Sequence, residues 1–73
     1  MNAKITDAAE FGEMVKKRRK NLHYTQRQLS EITGFSESFI SNLENGKVTC
    51  ELGKAIRLVN LLGLDLLMAP RGE

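Results

Sequence analysis

The sequence is poor in the residues that build disulfide and metal centres. It contains one cysteine, Cys50, and one histidine, His23. A disulfide framework needs paired cysteines, and a structural zinc site needs about four ligands. The sequence therefore excludes both kinds of support and favours the reducing cytosol as the compartment.

Long apolar runs and catalytic motifs are also missing. No stretch approaches the roughly 20 residues of a membrane span, and the amino terminus lacks the basic-then-apolar order of a signal peptide, so we expect a chain that stays inside the cell and meets no membrane. There is no glycine-rich phosphate loop and no pair of carboxylates at a defined spacing. We predict no enzyme, no catalytic residue, no metal site and no cofactor.

The 73 residues suffice for one small domain, residues 1–73, whose core is too small to be comfortably stable by itself. The net charge is only +2, but every charged residue between Met14 and Leu29 is basic. Taken alone, such a block fits a solvated helix face as well as a surface that meets phosphate. Its members are Lys16, Lys17, Arg18, Arg19, Lys20 and Arg27.

Apolar spacing and capping residues predict an all-α fold of four to five short helices. Thr25 is a capping residue for a second helix, which Gly34 ends because glycine tolerates positive φ. Ser36 follows at once and starts a third helix that runs to about Asn45. Two helices joined by a turn of three or four residues form a helix-turn-helix, here residues 25–45.

Two further helices flank this unit. The first begins after Thr6 or Asp7, where Asp7 can act as a cap and Glu10 lies at the spacing of a capping box. The fourth is expected to have Thr49 as its cap. Its predicted core stripe is Leu52, Ala55, Ile56, Val59 and Leu62.

The third helix has two unlike sides when its residues are spaced at about 100°. Ile40 and Leu43 lie on the apolar side, and small polar side chains lie opposite. Such a face leaves the helix narrow enough for a DNA major groove of about 12 Å and able to bond base edges. The alternative for each residue is a solvent-facing side chain, and for Glu37 it is stabilisation by the helix dipole. The predicted base-reading residues are Glu37, Ser38, Ser41 and Asn42.

The carboxyl-terminal tail alternates apolar and other residues at a spacing of two. Residues 64–69 are therefore predicted to form a short β-strand, which would lack a pairing partner in a helical chain. Leu58 and Leu61 add a second apolar stripe to the fourth helix. Both features are explained by a homodimer that packs through this helix and pairs its tails; the alternative is a tail that folds back as irregular coil. The predicted dimer contacts are Leu58, Leu61, Leu64, Leu66 and Met68.

The segment TQRQLSEITGFSESFISNLENGK resembles the helix-turn-helix core of the Xre/Cro family, the lambda-repressor-like DNA-binding domains. Matching positions are Gln26, Leu29, Gly34, Ser36, Ile40, Ser41, Leu43, Glu44, Gly46 and Lys47. Ser30 departs from the pattern, since the family usually has alanine there, but serine is small enough to fit. The resemblance implies a lambda-repressor-like fold and sequence-specific binding to double-stranded DNA.

The flanking segments FGEMVKKRRKNLHYTQRQLS and GKAIRLVNLLGLDLLMAPRGE are similar to the HipB-like subset, DNA-binding antitoxins encoded beside HipA-type kinase toxins. This resemblance implies a homodimer with paired tail strands, an inverted-repeat operator, repression of its own promoter, a HipA-like toxin as partner and a place at the bacterial nucleoid. Two alternatives stay open: a free-standing Xre-type regulator, and a protein-interaction module that does not bind DNA.

The resemblance also assigns roles to single residues. It places Gln26 on a phosphate at the start of the second helix, and Asn45 with Lys47 on the DNA backbone at the other side. It pairs Arg19 with Glu44, which lies toward the core edge, where an unpaired carboxylate would be costly. The predicted phosphate-binding residues are Gln26, Arg27, Ser36, Asn45 and Lys47.

Overall fold

Four helices provide the regular structure of residues 3–72, the part of the chain that this computed structural model describes. They are α1 (Ala8–Asn21), α2 (Gln26–Thr33), α3 (Glu37–Glu44) and α4 (Leu52–Leu61). Helix α3 packs against both α1 and α2. The all-α class and the helix-turn-helix formed by α2 and α3 are confirmed.

Helix α1 begins with the predicted cap. The Asp7 carboxylate accepts a hydrogen bond from the Glu10 backbone N–H at 2.8 Å. The Glu10 carboxylate reaches back one residue further than expected, to the hydroxyl and backbone N–H of Thr6 at 2.6 and 2.7 Å. These bonds, the hydroxyl bond first, lower the pKa of Glu10 because they favour its charged form. Their stabilising effect is present above the ordinary pKa and is lost as pH falls through the lowered one.

Among residues 3–72, eight buried apolar side chains form the core. Ile40 and Leu43 enter it from α3, Val15 from α1 and Leu29 from α2, each at most 3% exposed. Phe35 and Phe39 pack at its edge with their rings stacked at 5.2 Å. The contribution of α4 is Ala55, Leu58 and Val59, followed by Leu62 just past its end.

The predicted core stripe of α4 is confirmed at Ala55, Val59 and Leu62, which are buried, and wrong at one end. Leu58 is 0% exposed, whereas Leu52, assigned to the core stripe, is 69% exposed. The buried face of this helix also includes Leu58, which was assigned to the second apolar row. Leu58 is therefore not available to a second chain. Leu61 remains 54% exposed.

The predicted cap of α4 was also wrong. Thr49 lies in a turn in which the Cys50 N–H donates to the Lys47 carbonyl at 3.3 Å. Because this turn uses up residues 48–50, the helix starts later, with Glu51 as its N-cap residue and no side-chain cap bond.

Helices α1 and α3 touch through their backbones at Gly12. A Cβ built on Gly12 would lie 2.7 Å from the Glu44 carbonyl oxygen, closer than real Cβ atoms approach. After α3, Gly46 has φ +79°, and a Cβ there would lie 2.8 Å from the Ala9 Cα. The end of α3 is thus seated directly on α1, with no layer of side chains between them.

The predicted strand over residues 64–69 is absent: within residues 3–72 the structure contains no strand. A strand needs a hydrogen-bonded neighbour, and the single chain provides none. Leu64 packs at the edge of the core, but exposure then rises from 44% at Leu66 to 70% at Leu67 and 98% at Met68. The tail therefore leaves its own core instead of folding back on it.

The backbone contact at Gly12 predicts a large effect of one methyl group. Gly12→Ala should lower the free energy of unfolding by about 2 kcal/mol or more, because overpacking against backbone cannot relax through a side chain. Gly53→Ala is the matched control: its Cβ meets nothing within 4 Å in α4, so it should add about 0.5–1 kcal/mol. Urea denaturation measures both, and equal stability of the two variants would contradict the close approach.

Candidate nucleic-acid interface

The outward side of α3 carries the four residues predicted to read bases. Glu37 and Ser38 are exposed, and Ser41 and Asn42 are partly exposed. An α-helix with its side chains is about 10–12 Å across, comparable to the width of a major groove. The structure thus gathers these side chains on one narrow helical face that is at least partly open to solvent.

The opposite side of α3 holds this face in place. Ile40 is 0% exposed and Leu43 3% exposed in the core. At the start of the helix, the Ser36 hydroxyl accepts the Phe39 N–H at 3.0 Å, which satisfies one free amide of the first turn. The Ser36 hydroxyl proton stays available for another acceptor, such as a phosphate oxygen.

The turn between α2 and α3 is stiffened by a contact that the sequence did not reveal. Gly34 takes φ +82° and ends α2, as predicted. The Ser30 hydroxyl then donates to the Phe35 carbonyl at 2.5 Å, and the Thr33 hydroxyl accepts the Phe35 N–H at 3.3 Å. The Ser30 hydroxyl therefore ties α2 to the turn before α3.

Two of the predicted phosphate-binding residues lie just after α3. Asn45 is exposed, and its side-chain amide makes a long 3.4 Å contact to the Ser41 hydroxyl. Lys47 is exposed, and its N–H donates to the Asn42 carbonyl at 2.9 Å, which fixes the turn through Gly46. Lys47 is thus exposed in an ordered turn that directly follows α3.

Two other predicted phosphate-binding residues open α2. Its capping box is complete, since the Thr25 hydroxyl accepts the Gln28 N–H and the Gln28 side chain accepts the Thr25 N–H. Gln26 is partly buried, and its side-chain amide donates to the Glu44 carboxylate at 3.1 Å. Arg27 is exposed and lies 3.5 Å from Glu31 one turn later. The Gln26 amide is therefore held by the protein, with a second N–H left over.

Arg19 and Glu44 form the ion pair that the resemblance implied. Arg19 Nε and Nη2 meet the two carboxylate oxygens of Glu44 at 2.7 and 3.0 Å, and the side chains are 8% and 1% exposed. Arg19 Nη1 also donates to the Tyr24 carbonyl at 2.7 Å. These bonds explain how two charges are buried, because each is met by bidentate or backbone hydrogen bonds.

The basic block does not act as one surface. Arg18 turns away from α3 and donates from Nε to the Leu62 carbonyl at 2.8 Å, at the end of α4. Lys17 and Lys20 are exposed. Two of the six basic residues are thus engaged in the fold, and the sequence held no signal for the partner of Arg18.

No group of three or more potential metal ligands occurs in the described part of the chain. Among its helices, none combines the length and the apolar character needed to cross a bilayer. The surface around α3 carries hydrogen-bonding and basic side chains.

Sequence comparison finds a matching family and similar proteins in a bacterium and a phage. The sequence profile of a family described as a helix-turn-helix domain matches residues 12–68. A protein of Sinorhizobium fredii (strain NBRC 101917 / NGR234), described as the uncharacterized HTH-type transcriptional regulator y4mF, is 32% identical over 73 residues, covering 100% of this chain and 96% of that protein. The ImmF control region 10 kDa protein of Bacillus phage phi105 is 30% identical over 62 residues, 85% of this chain and 69% of that protein.

Solved structures share the fold over nearly the whole chain. A HipB–O4 20mer complex matches with a TM-score of 0.84 at 23% identity, over 96% of this chain and 99% of that chain. A HipB variant in complex with an O2 20mer matches with a TM-score of 0.85 at 22% identity, over 97% and 99%. At this identity the likeness concerns the fold.

The ion pair predicts a strong effect on stability. Arg19→Ala should lower the free energy of unfolding by about 3–5 kcal/mol, because it leaves the Glu44 carboxylate buried without its partner. Arg27→Ala breaks an ion pair whose side chains are 80% and 70% exposed, so it should change stability by less than about 1 kcal/mol. Thermal and urea denaturation compare the two, and an unchanged melting temperature for Arg19→Ala would remove the structural role of the pair.

Proposed function

We propose that this chain, which belongs to the helix-turn-helix domain family, is a homodimeric, sequence-specific repressor that reads an inverted repeat with α3. As an Xre-type member of the family, it is one of the DNA-binding transcriptional regulators and not an enzyme. The observation that carries this proposal is the division of α3 into two sides. Its apolar side is fixed in the core, and its outward side presents small hydrogen-bonding residues.

The outward face has the chemistry of base readout. Asn42 offers a donor and an acceptor that match the major-groove edge of adenine, and Ser38 and Ser41 can bond several bases. Glu37 can accept from a cytosine amine, or it can stabilise the first turn of α3. Because these side chains are small, the helix can lie deep in the groove, where its short side chains reach the base edges.

The residues at both ends of α3 can hold the DNA backbone. Gln26 and Arg27 lie at the start of α2, where free helix amides and the helix dipole favour an anion. Asn45 and Lys47 lie after α3, and the Ser36 hydroxyl lies before it. Phosphate contacts on both sides of a recognition helix would fix its register in the groove.

The tail supplies the argument for a homodimer. Leu61, Leu66 and Met68 are 54%, 44% and 98% exposed, and no backbone hydrogen bond joins residues 65–72 to the rest of the described chain. A second tail would bury these apolar groups and pair the free amides and carbonyls. Two-fold symmetry would then present two copies of α3 to half-sites about one helical turn apart.

Occupation of its own promoter would make the chain an autorepressor, and we further propose that it is the antitoxin of a HipBA-like operon. The likeness of its fold to HipB structures supports this step, together with the similarity of the segments that flank the helix-turn-helix. The test is the neighbouring gene: a kinase-like product whose toxicity is relieved by co-expression of this chain supports the role. A gene without such a neighbour would leave a free-standing regulator.

Substitutions on the proposed face separate base readout from phosphate binding. Asn42→Ala should cost about 1–3 kcal/mol at one base position and relax the preference there, whereas Lys47→Ala should weaken all sequences alike and reduce the salt slope by about one unit. Lys54→Ala removes the same charge from α4 as the control. Shift assays over a salt series measure these effects. Equal weakening of every sequence by Asn42→Ala would show that it does not read a base, and salt-independent failure to bind any DNA would favour a protein-interaction module.

The tail contact is tested by the mass of the free protein. Met68→Glu should raise the dimer dissociation constant about tenfold or more, because a charge replaces an apolar side chain that the dimer would bury. Ile32→Glu makes the same change on α2, at a residue 62% exposed, and should leave the constant unchanged. Sedimentation equilibrium gives both values, and a wild-type monomer at all concentrations would refute the homodimer.

A further inference from the structure

The tail leaves α4 through a defined turn. Gly63 takes φ +76°, its N–H donates to the Asn60 carbonyl at 3.0 Å, and the Leu64 N–H donates to the Val59 carbonyl at 2.9 Å. This is the pattern of a Schellman-type helix end, which a glycine at positive φ permits. Leu64 then packs at the edge of the core. The direction of the tail is set within these residues.

Arg18 reaches this turn from α1. Its Nε donates to the Leu62 carbonyl at 2.8 Å, and a Cβ built on Gly63 would lie 2.9 Å from its Nη2. The guanidinium therefore lies against the turn and occupies the space that a side chain at residue 63 would need. A cation is also favourable at the carbonyl end of a helix. The contact joins α1, on which α3 is seated, to the point at which the tail departs.

We infer that Arg18 is a positioning residue that fixes the direction of the tail relative to α3, and thereby the spacing of operator half-sites that the dimer accepts. The inference rests on the homodimer of the proposed function. It assigns Arg18 a part in specificity without any contact to DNA, although its place in a run of basic residues favours a phosphate contact.

The length of the tail makes its direction important. Residues 64–69, if extended as in a paired strand, span about 20 Å. A rotation of about 10° at Gly63 would move their far end by about 3.5 Å, close to the rise of one base pair. Since no backbone hydrogen bond holds residues 65–72 to the rest of the described chain, this angle is set by the turn at Gly63 and by the packing of Leu64 against the core. A bond that limits rotation at this turn therefore controls the position of the far end of the tail to about the rise of one base pair.

The experiment measures affinity for a series of operators in which two inverted half-sites are moved apart one base pair at a time, and for a single half-site. Arg18→Gln removes the hydrogen bond and the charge. Arg18→Lys keeps the charge and loses the planar guanidinium, and it serves if the glutamine variant melts too low to assay. Lys17→Gln is the matched control, because it removes the same charge from the neighbouring exposed residue.

Wild type and Lys17→Gln should bind one spacing best and lose about tenfold or more one base pair away, comparable to the loss of a base contact. Both Arg18 variants should bind neighbouring spacings within about twofold of one another, because a looser turn lets the tail adjust. On the single half-site, Arg18→Lys should bind as tightly as wild type, and Arg18→Gln should bind as tightly as Lys17→Gln. The two proteins in each pair carry the same charge.

Two results would overturn the inference and leave the homodimer standing. One is a spacing optimum as sharp in both Arg18 variants as in wild type. The other is an Arg18→Gln variant that loses affinity equally for all operators and for the single half-site, while Arg18→Lys binds them as wild type does. That result would identify a phosphate contact. A wild-type protein that binds all spacings and the single half-site alike would overturn the homodimer and the inference together.

Discussion

The buried ion pair between Arg19 and Glu44 is the interaction on which the proposed DNA-binding face depends. Burying two charges is costly unless each is fully hydrogen-bonded, and here one guanidinium meets both carboxylate oxygens at 2.7 and 3.0 Å. The same pair binds the Tyr24 carbonyl before α2 and the Gln26 amide at its start. A single carboxylate at the end of α3 thus connects all three helices that shape the face. An apolar pair of equal volume would fill the space but would leave those two groups without partners.

Helix α1 carries neighbouring arginines that serve different ends of the molecule. Arg19 points to the end of α3, and Arg18, about 100° further round the helix, points to the end of α4. The first holds the surface that would read DNA, and the second holds the turn from which the tail departs. Because one helix of 14 residues makes both contacts, α1 fixes the position of the proposed DNA-binding face relative to the start of the tail that would pair in the dimer.

What the sequence allowed to be predicted follows from how local each signal is. Glu44 was assigned inward because the helical spacing places it toward the core edge of the third helix. Its partner, Arg19, was predicted from the resemblance to the family. Leu58 was misassigned because α4 has two adjacent apolar rows, and only tertiary packing decides which residues of each are buried. The partner of Arg18 is a carbonyl 44 residues away, and the hydroxyl bond of Ser30 depends on the turn it meets. The strand at residues 64–69 requires a neighbour that one chain does not contain.

The direct seating of α3 on α1 at Gly12 has a consequence for how specificity would arise on an operator. With backbone against backbone there is no deformable layer, so α3 cannot tilt to suit a groove of different width. Accommodation then falls to the nucleic acid. In the proposed complex, base steps that lie between the half-sites and touch no side chain would be selected for the ease with which they bend and twist, and the stiffness of the protein would itself be read out as sequence preference.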